Sequence, residues 1–326
     1  MPPNPDELSA IARRYERFAA TEARGSSPVY EALALAVAGS ARLLAFLASL
    51  PAERRQPNLF LAAVRHAGGV PRDRTDMEEI VRAHAPRVAE VMLSRTTQTN
   101  EPARCAALLP VLARIGRPLA LIEVGASAGL CLLPDRYGYA YGVYCIAPPS
   151  PGAPIFQCAA SATTPLPRAL PEVAWRCGLD LDPLDVGSPA DMAWLEMLVW
   201  PGQEHRARGL GAAIDIARAD PPQVRRGDLL ADLPAVAALA PKDIALVVYH
   251  TAVLGYVASQ ADRDAFAETV RRTGAVWISN EPPSVYPQLA RAVPPRPGPD
   301  RFLLAVDGRP VAWTGPHGQS IDWFAD

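Results

Sequence analysis

The sequence predicts an α/β protein: a mainly parallel sheet that ends in an antiparallel C-terminal hairpin, preceded by an all-helical N-terminal domain. Three observations carry this. The first hundred residues show only helical periodicity. Residues 118–130, PLALIEVGASAGL, join an apolar run to a small-residue turn. From there strand and helix patterns alternate, which is the signature of strands paired in parallel through helical crossovers.

The helical part opens well. Asn4-Pro5-Asp6-Glu7 supplies an N-cap, a first-turn proline and a capping-box acid. Leu8, Ile11, Ala12, Tyr15, Phe18 and Ala19 then follow helical spacing. Further helices are expected over 29–50, 58–66 and 76–92, separated by Gly25-Ser26-Ser27-Pro28, 51–57 and 68–74. Residues 29–50 are apolar enough to mimic a membrane span, but Arg42 sits near the middle. A central arginine costs about 2.5–3.5 kcal/mol on insertion scales, so a buried helix of a protein without membrane contact is expected. The expected domains are 1–99 and 100–326.

A polar segment at 95–101 (RTTQTNE) precedes a helix with Cys105, Leu108, Leu109, Leu112 and Ile115 on one face, and Gly116 suits its C-cap. The strand at 119–122 follows, then Glu123 and the turn Gly125-Ala126-Ser127-Ala128-Gly129, read as feeding a helix. Glycine and serine keep such a turn thin enough for a ligand to approach the backbone. Later strands are expected at 174–181, 224–227, 243–250 and 275–280, and helices at 191–219 (broken at Pro201) and 263–273. Residues 302–306 and 310–313 flank Asp307-Gly308 as a hairpin, and 320–324 reads as another strand. Residues 131–173 form an insertion in which Tyr137, Tyr139 and Tyr141 alternate, either packing an added hairpin or lining an aromatic pocket.

Bulk numbers exclude several classes. A net charge of −2 leaves no electrostatic footprint for nucleic acid and no basic patch for lipid. Lys242 is the only lysine among 32 basic residues, so no phosphate-binding G-x-x-x-x-G-K-[ST] loop exists. The five cysteines are scattered without a C-x-x-C pair, which gives no metal site and no disulfide framework. The N-terminus lacks the apolar region of a signal peptide, so the chain reads as cytoplasmic.

Two enzyme classes use such a turn. Glu123 followed by Gly125, Ser127 and Gly129 resembles the loop of class I S-adenosylmethionine (SAM) methyltransferases, which have a Rossmann-like sheet. Gly-Ala-Ser-Ala-Gly is also a literal G-x-S-x-G, the nucleophile elbow of serine hydrolases with an α/β fold. The hydrolase reading offers Ser127 as nucleophile and His317 as triad histidine, with Asp262 or Asp264 as the acid. It lacks the upstream strands and any HGGG-like segment.

The methyltransferase resemblance implies a fuller set of roles. Glu123, Gly125, Ala126, Ser127 and Gly129 would lie under the methionine portion of the cofactor. Asp180 in Cys177-Gly178-Leu179-Asp180-Leu181-Asp182-Pro183 would bind the ribose, with Asp182 as the other option. Asp228 and Leu229 would meet the adenine. The distance from Glu123 to Asp180 exceeds the usual ~20 residues, which requires the 131–173 insertion. His250 stands at the end of the fourth strand as general base, with Tyr249 second. Arg95, Gln98, Asn100 and Tyr137 are candidate lid or substrate residues. The expected partner is a small-molecule acceptor. Asn280-Glu281-Pro282-Pro283 is read as a turn, and Asp182 and Asp185 as turn or cap residues. A SAM-type binding protein without catalysis is the remaining alternative.

The chain also resembles one bacterial family, the domain-of-unknown-function family 2332. The resemblance rests on residues 98–101 (QTNE), 123–130 (EVGASAGL), Asp135-Arg136-Tyr137 and Gly178-Leu179-Asp180 with Pro183 and Asp185. It also rests on Trp200-Pro201 with Arg206 and on His250-Thr251. It implies the fold above and supplies no activity. Cys131 stands where the family pattern implies asparagine.

Overall fold

A computed structural model describes residues 4–291, 293–298 and 300–325. The chain forms two compact units, one of residues 1–99 with 193–208 and one of 100–192 with 209–326.

The first unit is helical. Helix α1 (Pro5–Phe18) starts where the Asn4 side chain accepts the Asp6 amide at 3.0 Å. Residues 29–50 form two helices where the sequence suggested one: α2 (Pro28–Ala38) and α3 (Ala41–Ala48), bent by 83°. Gly39 closes the first, and Ser40 caps the second by accepting the Leu43 amide at 3.2 Å. Among the described residues no single helix is long and apolar enough to cross a membrane; this bent pair passes only by length and composition. The pair buries Tyr30, Leu33, Val37, Leu43 and Leu47 in the same core as Tyr15 and Phe60, while Arg42 stays exposed. Helices α4 (Pro57–Gly68) and α5 (Arg74–Ser94) complete the bundle, with α5 kinked at His84 because Pro86 has no amide to donate. Pro201 breaks the later helical stretch into α7 (Pro189–Met197) and α8 (Glu204–Ala219), and Trp200 packs against Phe18 and Tyr30.

The second unit is built on a nine-stranded sheet. Helix α6 (Cys105–Leu112) ends in a 3-10 turn at left-handed Gly116 and leads into β1 (Leu119–Val124), whose residues are all buried. The 131–173 stretch forms a small sheet of β2 (Gly138–Tyr141), β3 (Tyr144–Ile146) and β4 (Ile155–Gln157), and then β5 (Ala159–Ala160) joins the main sheet. The main sheet continues with β6 (Val173–Asp180), β7 (Val224–Arg226), β8 (Ala245–Thr251) and β9 (Val276–Glu281). Three antiparallel strands follow: β10 (Phe302–Val306), β11 (Arg309–Thr314) and β12 (Ser320–Trp323). The order is β5-β12-β11-β10-β9-β8-β1-β6-β7, with β7, β6, β1, β8 and β9 all parallel. Helices α9 (Leu233–Ala237) and α10 (Gln260–Arg272) pack Leu233, Phe266 and Val270 against Ile122, Val124 and Val248 on one face.

One expectation about the opening motif fails. The turn after β1 feeds only a 3-10 turn, Leu130–Leu132, and no helix. The aligned helix dipole that would favour an anion there is therefore missing.

Candidate functional site

Strand β1 has β6 on one side and β8 on the other, so the order of the parallel strands reverses beside it. Open α/β sheets bind ligands at the carboxyl ends of strands flanking such a point. The register fixes which side chains meet there. Glu123 lies opposite Gly178 and Tyr249, and Thr251 lies opposite Asn280. Side chains alternate between faces, so Glu123, Tyr249, Thr251 and Asn280 share one face, and His250 and Glu281 share the other.

The first face holds a buried polar cluster. Arg104, just before α6, donates through Nε to the Pro316 carbonyl at 2.9 Å and through Nη1 to the Thr251 carbonyl at 3.2 Å. Asn280 Oδ1 accepts the Thr314 hydroxyl at 2.7 Å, while its Nδ2 has no partner. Glu123 is buried, and its Oε2 also has no partner. Burial holds its pKa well above the ordinary carboxylate range; nearby Cys131 adds to this and Arg104 opposes it. The Ser127 hydroxyl is a third buried, unpartnered group. Such atoms are uncommon in folded proteins and mark places where water or a ligand completes the bonding.

The turn itself is tied down by its own chain. Asp180 Oδ2 accepts the Ser127 amide at 2.8 Å, and Oδ1 accepts the Asp182 amide at 2.8 Å. Ser127 is held at φ 51°, a left-handed conformation rare for serine. Gly125 and Gly129 also have positive φ. A Cβ on Gly125 would collide with the Val253 methyls, and one on Gly129 would lie 2.8 Å from Pro222 Cγ. Ala126 faces inward, with its Cβ 2.6 Å from where a Gly178 Cβ would stand. The thinness of the turn thus serves contacts within the protein, which revises the reading of these glycines as space kept for a ligand.

Several expected site residues hold structural posts. His250 is fully buried. Its Nε2 accepts the Trp277 indole N–H at 3.1 Å, so Nδ1 carries the proton and donates to Glu281 Oε1 at 2.6 Å. Phe266 covers the ring edge-on at 5.4 Å. With both nitrogens engaged, and on the face opposite Glu123, His250 is not the general base the sequence suggested. Tyr249 fares alike: its hydroxyl donates to the Cys131 carbonyl at 2.9 Å, and burial raises its pKa well above the phenol range.

Asp228 Oδ1 accepts the Leu230 and Ala231 amides at 2.8 and 3.0 Å and caps its own turn, while Leu229 packs against the α9–α10 side of the sheet. Asn100 Oδ1 accepts the Leu130 amide at 2.8 Å and so caps the 3-10 turn. Tyr137 is buried, donates to the Leu130 carbonyl at 2.8 Å and stacks edge-on with Phe156, so it packs the insertion. Tyr139 and Tyr141 likewise donate to backbone carbonyls. Arg95 and Gln98 belong to the helical unit and Asn100 to the sheet unit. Asp182 pairs with Arg226 at 2.7 Å on the surface, which leaves Asp180 as the acid beside the turn. His317 lies in the loop after β11, where its amide donates to Gln319 Oε1 at 2.9 Å.

Arg104, Asn280 and Glu281 were not foreseen as site residues. Glu281 ends a buried strand, and Arg104 interrupts an apolar run; each is a charged residue where the pattern calls for an apolar one. That was the available signal. Away from this edge, a cavity of about 560 Å³ opens beside the start of β1, lined by Arg114, Arg117, Leu166, Arg168 and Glu172.

No curated protein and no solved structure matches the chain. Residues 12–323 match the sequence profile of a family described as an uncharacterized protein conserved in bacteria (DUF2332). That match spans nearly the whole chain, and the protein belongs to this family.

Proposed function

We propose that the chain binds SAM at the carboxyl edge of β1 and β6 and transfers its methyl group to a small-molecule acceptor. The observation that carries this reading is the contact between Asp180 and the turn after β1, with Oδ2 of Asp180 2.8 Å from the Ser127 amide. It brings an acid at the end of the second parallel strand against a small-residue turn at the point where strand order reverses. The order β7-β6-β1-β8-β9 of the parallel strands supports the reading of a doubly wound, Rossmann-like sheet.

The residues present fit two parts of the cofactor. Glu123 Oε2 and the Ser127 hydroxyl, both buried and unpartnered, suit the ammonium and carboxylate of the methionine portion. Asp180 accepts an amide through each oxygen beside the turn, at the end of the second parallel strand, which is where this reading puts the ribose-binding acid. Asp228 Oδ1 accepts two amides of its own turn, so a part toward adenine would fall to Oδ2 alone. Bound SAM supplies an electrophilic methyl group, so the protein's share of the work is alignment. His250 and Tyr249 are sealed, so the reading favours an acceptor that needs no enzyme base, such as a carboxylate, a thiolate or a neutral amine.

The positive φ of Ser127 favours one competing reading, the strained nucleophile of a serine hydrolase. It lacks a base: among the described residues the Ser127 hydroxyl has no partner, and His250 lies on the other face, bonded to Glu281. A thermal-shift series with SAM, S-adenosylhomocysteine, NAD and ATP tests the assignment. A ligand at 100 times its Kd adds about 2.7 kcal/mol to stability, so SAM and S-adenosylhomocysteine should raise the melting temperature and the others should not. Silence toward both, in a folded sample at millimolar ligand, sinks the proposal; binding without turnover of any acceptor would leave a SAM-type binding protein.

A further inference from the structure

The segment after β8 sits on the turn after β1. Val253 fills the space above Gly125, in direct contact through its methyls. Ala252 is held at φ 59°, a left-handed conformation that an alanine rarely adopts, and its amide donates to the Asn280 carbonyl at 3.1 Å. Two side chains fasten the segment from outside the turn. Glu281 Oε1 accepts the Val253 amide at 2.9 Å and the Leu254 amide at 3.1 Å, together with the His250 ring N–H. Arg263 on α10 donates to the carbonyls of Leu254 and Val257.

By contrast, the contact of Val253 with Gly125 is apolar. Beyond it Leu254 is anchored in the core with Phe266 and Val285, and the tip at Gly255 and Tyr256 is open to solvent, with Tyr256 80 % exposed. Glu281 has all three donors on one oxygen, while Oε2 is buried and unpartnered.

We propose that residues 252–257 are a gate over the turn after β1, with Val253 as the group that blocks it and Glu281 as the residue that holds it shut. A ligand of any class that lies against Gly125 must first displace Val253. On the SAM reading, on which the ligand part of this inference rests, Val253 decides whether the methionine end reaches Glu123 and Ser127. Glu281 is a positioning residue that acts through the amides of Val253 and Leu254. His250 orients Glu281 from behind, which gives the strand-end histidine a role other than base.

Hydrogen exchange on the full chain tests the gate without any ligand. Local openings occur below the global unfolding free energy, so a gate should exchange ahead of the strands that flank it. In the wild type, the amides of Val253 and Leu254 should exchange faster than those of β1 and β8. In Glu281→Ala they should exchange about tenfold faster again, with β1 and β8 unchanged. Exchange of the segment together with the strands, in the wild type or the variant, overturns the gate.

Val253→Ala keeps the Glu281 links and shortens the blocking side chain, so it covers the case in which Glu281→Ala does not fold. It raises the fraction of open sites and should tighten S-adenosylhomocysteine binding by about threefold or more. The two proposals fail separately. If the segment opens alone but no variant binds S-adenosylhomocysteine, the gate stands and the cofactor falls. If S-adenosylhomocysteine binds equally to wild type and Val253→Ala and leaves the segment's exchange unaltered, the cofactor stands and the gate falls.

Discussion

Asp180 Oδ2 and the Ser127 amide lie 2.8 Å apart, joining the end of β6 to the turn after β1. The other carboxylate oxygen holds the Asp182 amide at 2.8 Å. One side chain thus fixes the backbone of two adjacent strand ends, and it does so with a charged acceptor, which makes each bond stronger than its neutral counterpart. Losing it leaves the Ser127 amide unsatisfied where the turn is buried. Asp180→Ala should lower unfolding free energy by about 1.5–3 kcal/mol in urea titrations. Asp180→Asn keeps one acceptor oxygen and should lose less; equal losses in both would show that the amide contact is not what stabilises the turn.

Gly125 is a steric prediction. Its φ of 72° disfavours any side chain, and the space beside it is occupied by Val253. Gly125→Ala should destabilise by about 1–3 kcal/mol. Adding Val253→Gly should relieve the clash but not the backbone strain, so the double variant should lie between the single variant and wild type.

His250 is a packing and orienting residue. His250→Ala removes the partner of the Trp277 indole, takes one donor from Glu281 and leaves a cavity under Phe266. The loss should be about 3 kcal/mol or more, read as a lower urea midpoint. Once a methyl acceptor is found, residual activity should track the folded fraction and keep the wild-type pH profile. A profile that loses a limb near neutral pH in this variant would restore His250 as a base.

Glu123 makes stability depend on pH in an unusual direction. Burial raises its pKa well above the ordinary range, so the folded chain binds a proton that the unfolded chain releases. Stability is then greatest below the unfolded carboxyl pKa of about 4.3 and falls as pH rises from there toward the folded value. Glu123→Gln removes this dependence. Its melting temperature should match wild type below about pH 4 and exceed it at pH 8. A variant less stable than wild type at pH 8 would mean that the carboxylate is paired rather than stranded.

Much of the sheet was legible because its residues obey local rules. The apolar runs at 119–124 and 245–251 are strands buried on both faces, and Asp307-Gly308 makes the hairpin turn its sequence demands, with both residues at positive φ. The alternating tyrosines at 137–141 were readable only as a pattern: Tyr137 and Tyr139 bond the nearby Leu130 and Pro134 carbonyls, while Tyr141 reaches the distant Ala106 carbonyl.

The site was harder. Asp180 was identified, but its first partner is the turn's own backbone, a contact set by sheet register. His250 looked like a base because strand ends carry chemistry; its environment is fixed by Trp277 and Glu281, about thirty residues away, where Glu281 reads as part of a proline turn. The small residues at 125–129 allow a ligand or the protein itself to come close. Only the position of Val253 decides between them, and no spacing rule encodes it.

Isothermal titration with S-adenosylhomocysteine at pH 7, in two buffers of different ionisation enthalpy, tests the central claim most directly. The account predicts a saturable one-to-one heat. It also predicts proton release on binding, because a ligand ammonium beside Glu123 favours the charged carboxylate that burial otherwise disfavours. The binding heat should then differ between the buffers, and Glu123→Gln should bind more weakly with no such difference. Absence of heat at millimolar ligand from a folded wild-type sample would contradict the claim that this edge of the sheet is a SAM site.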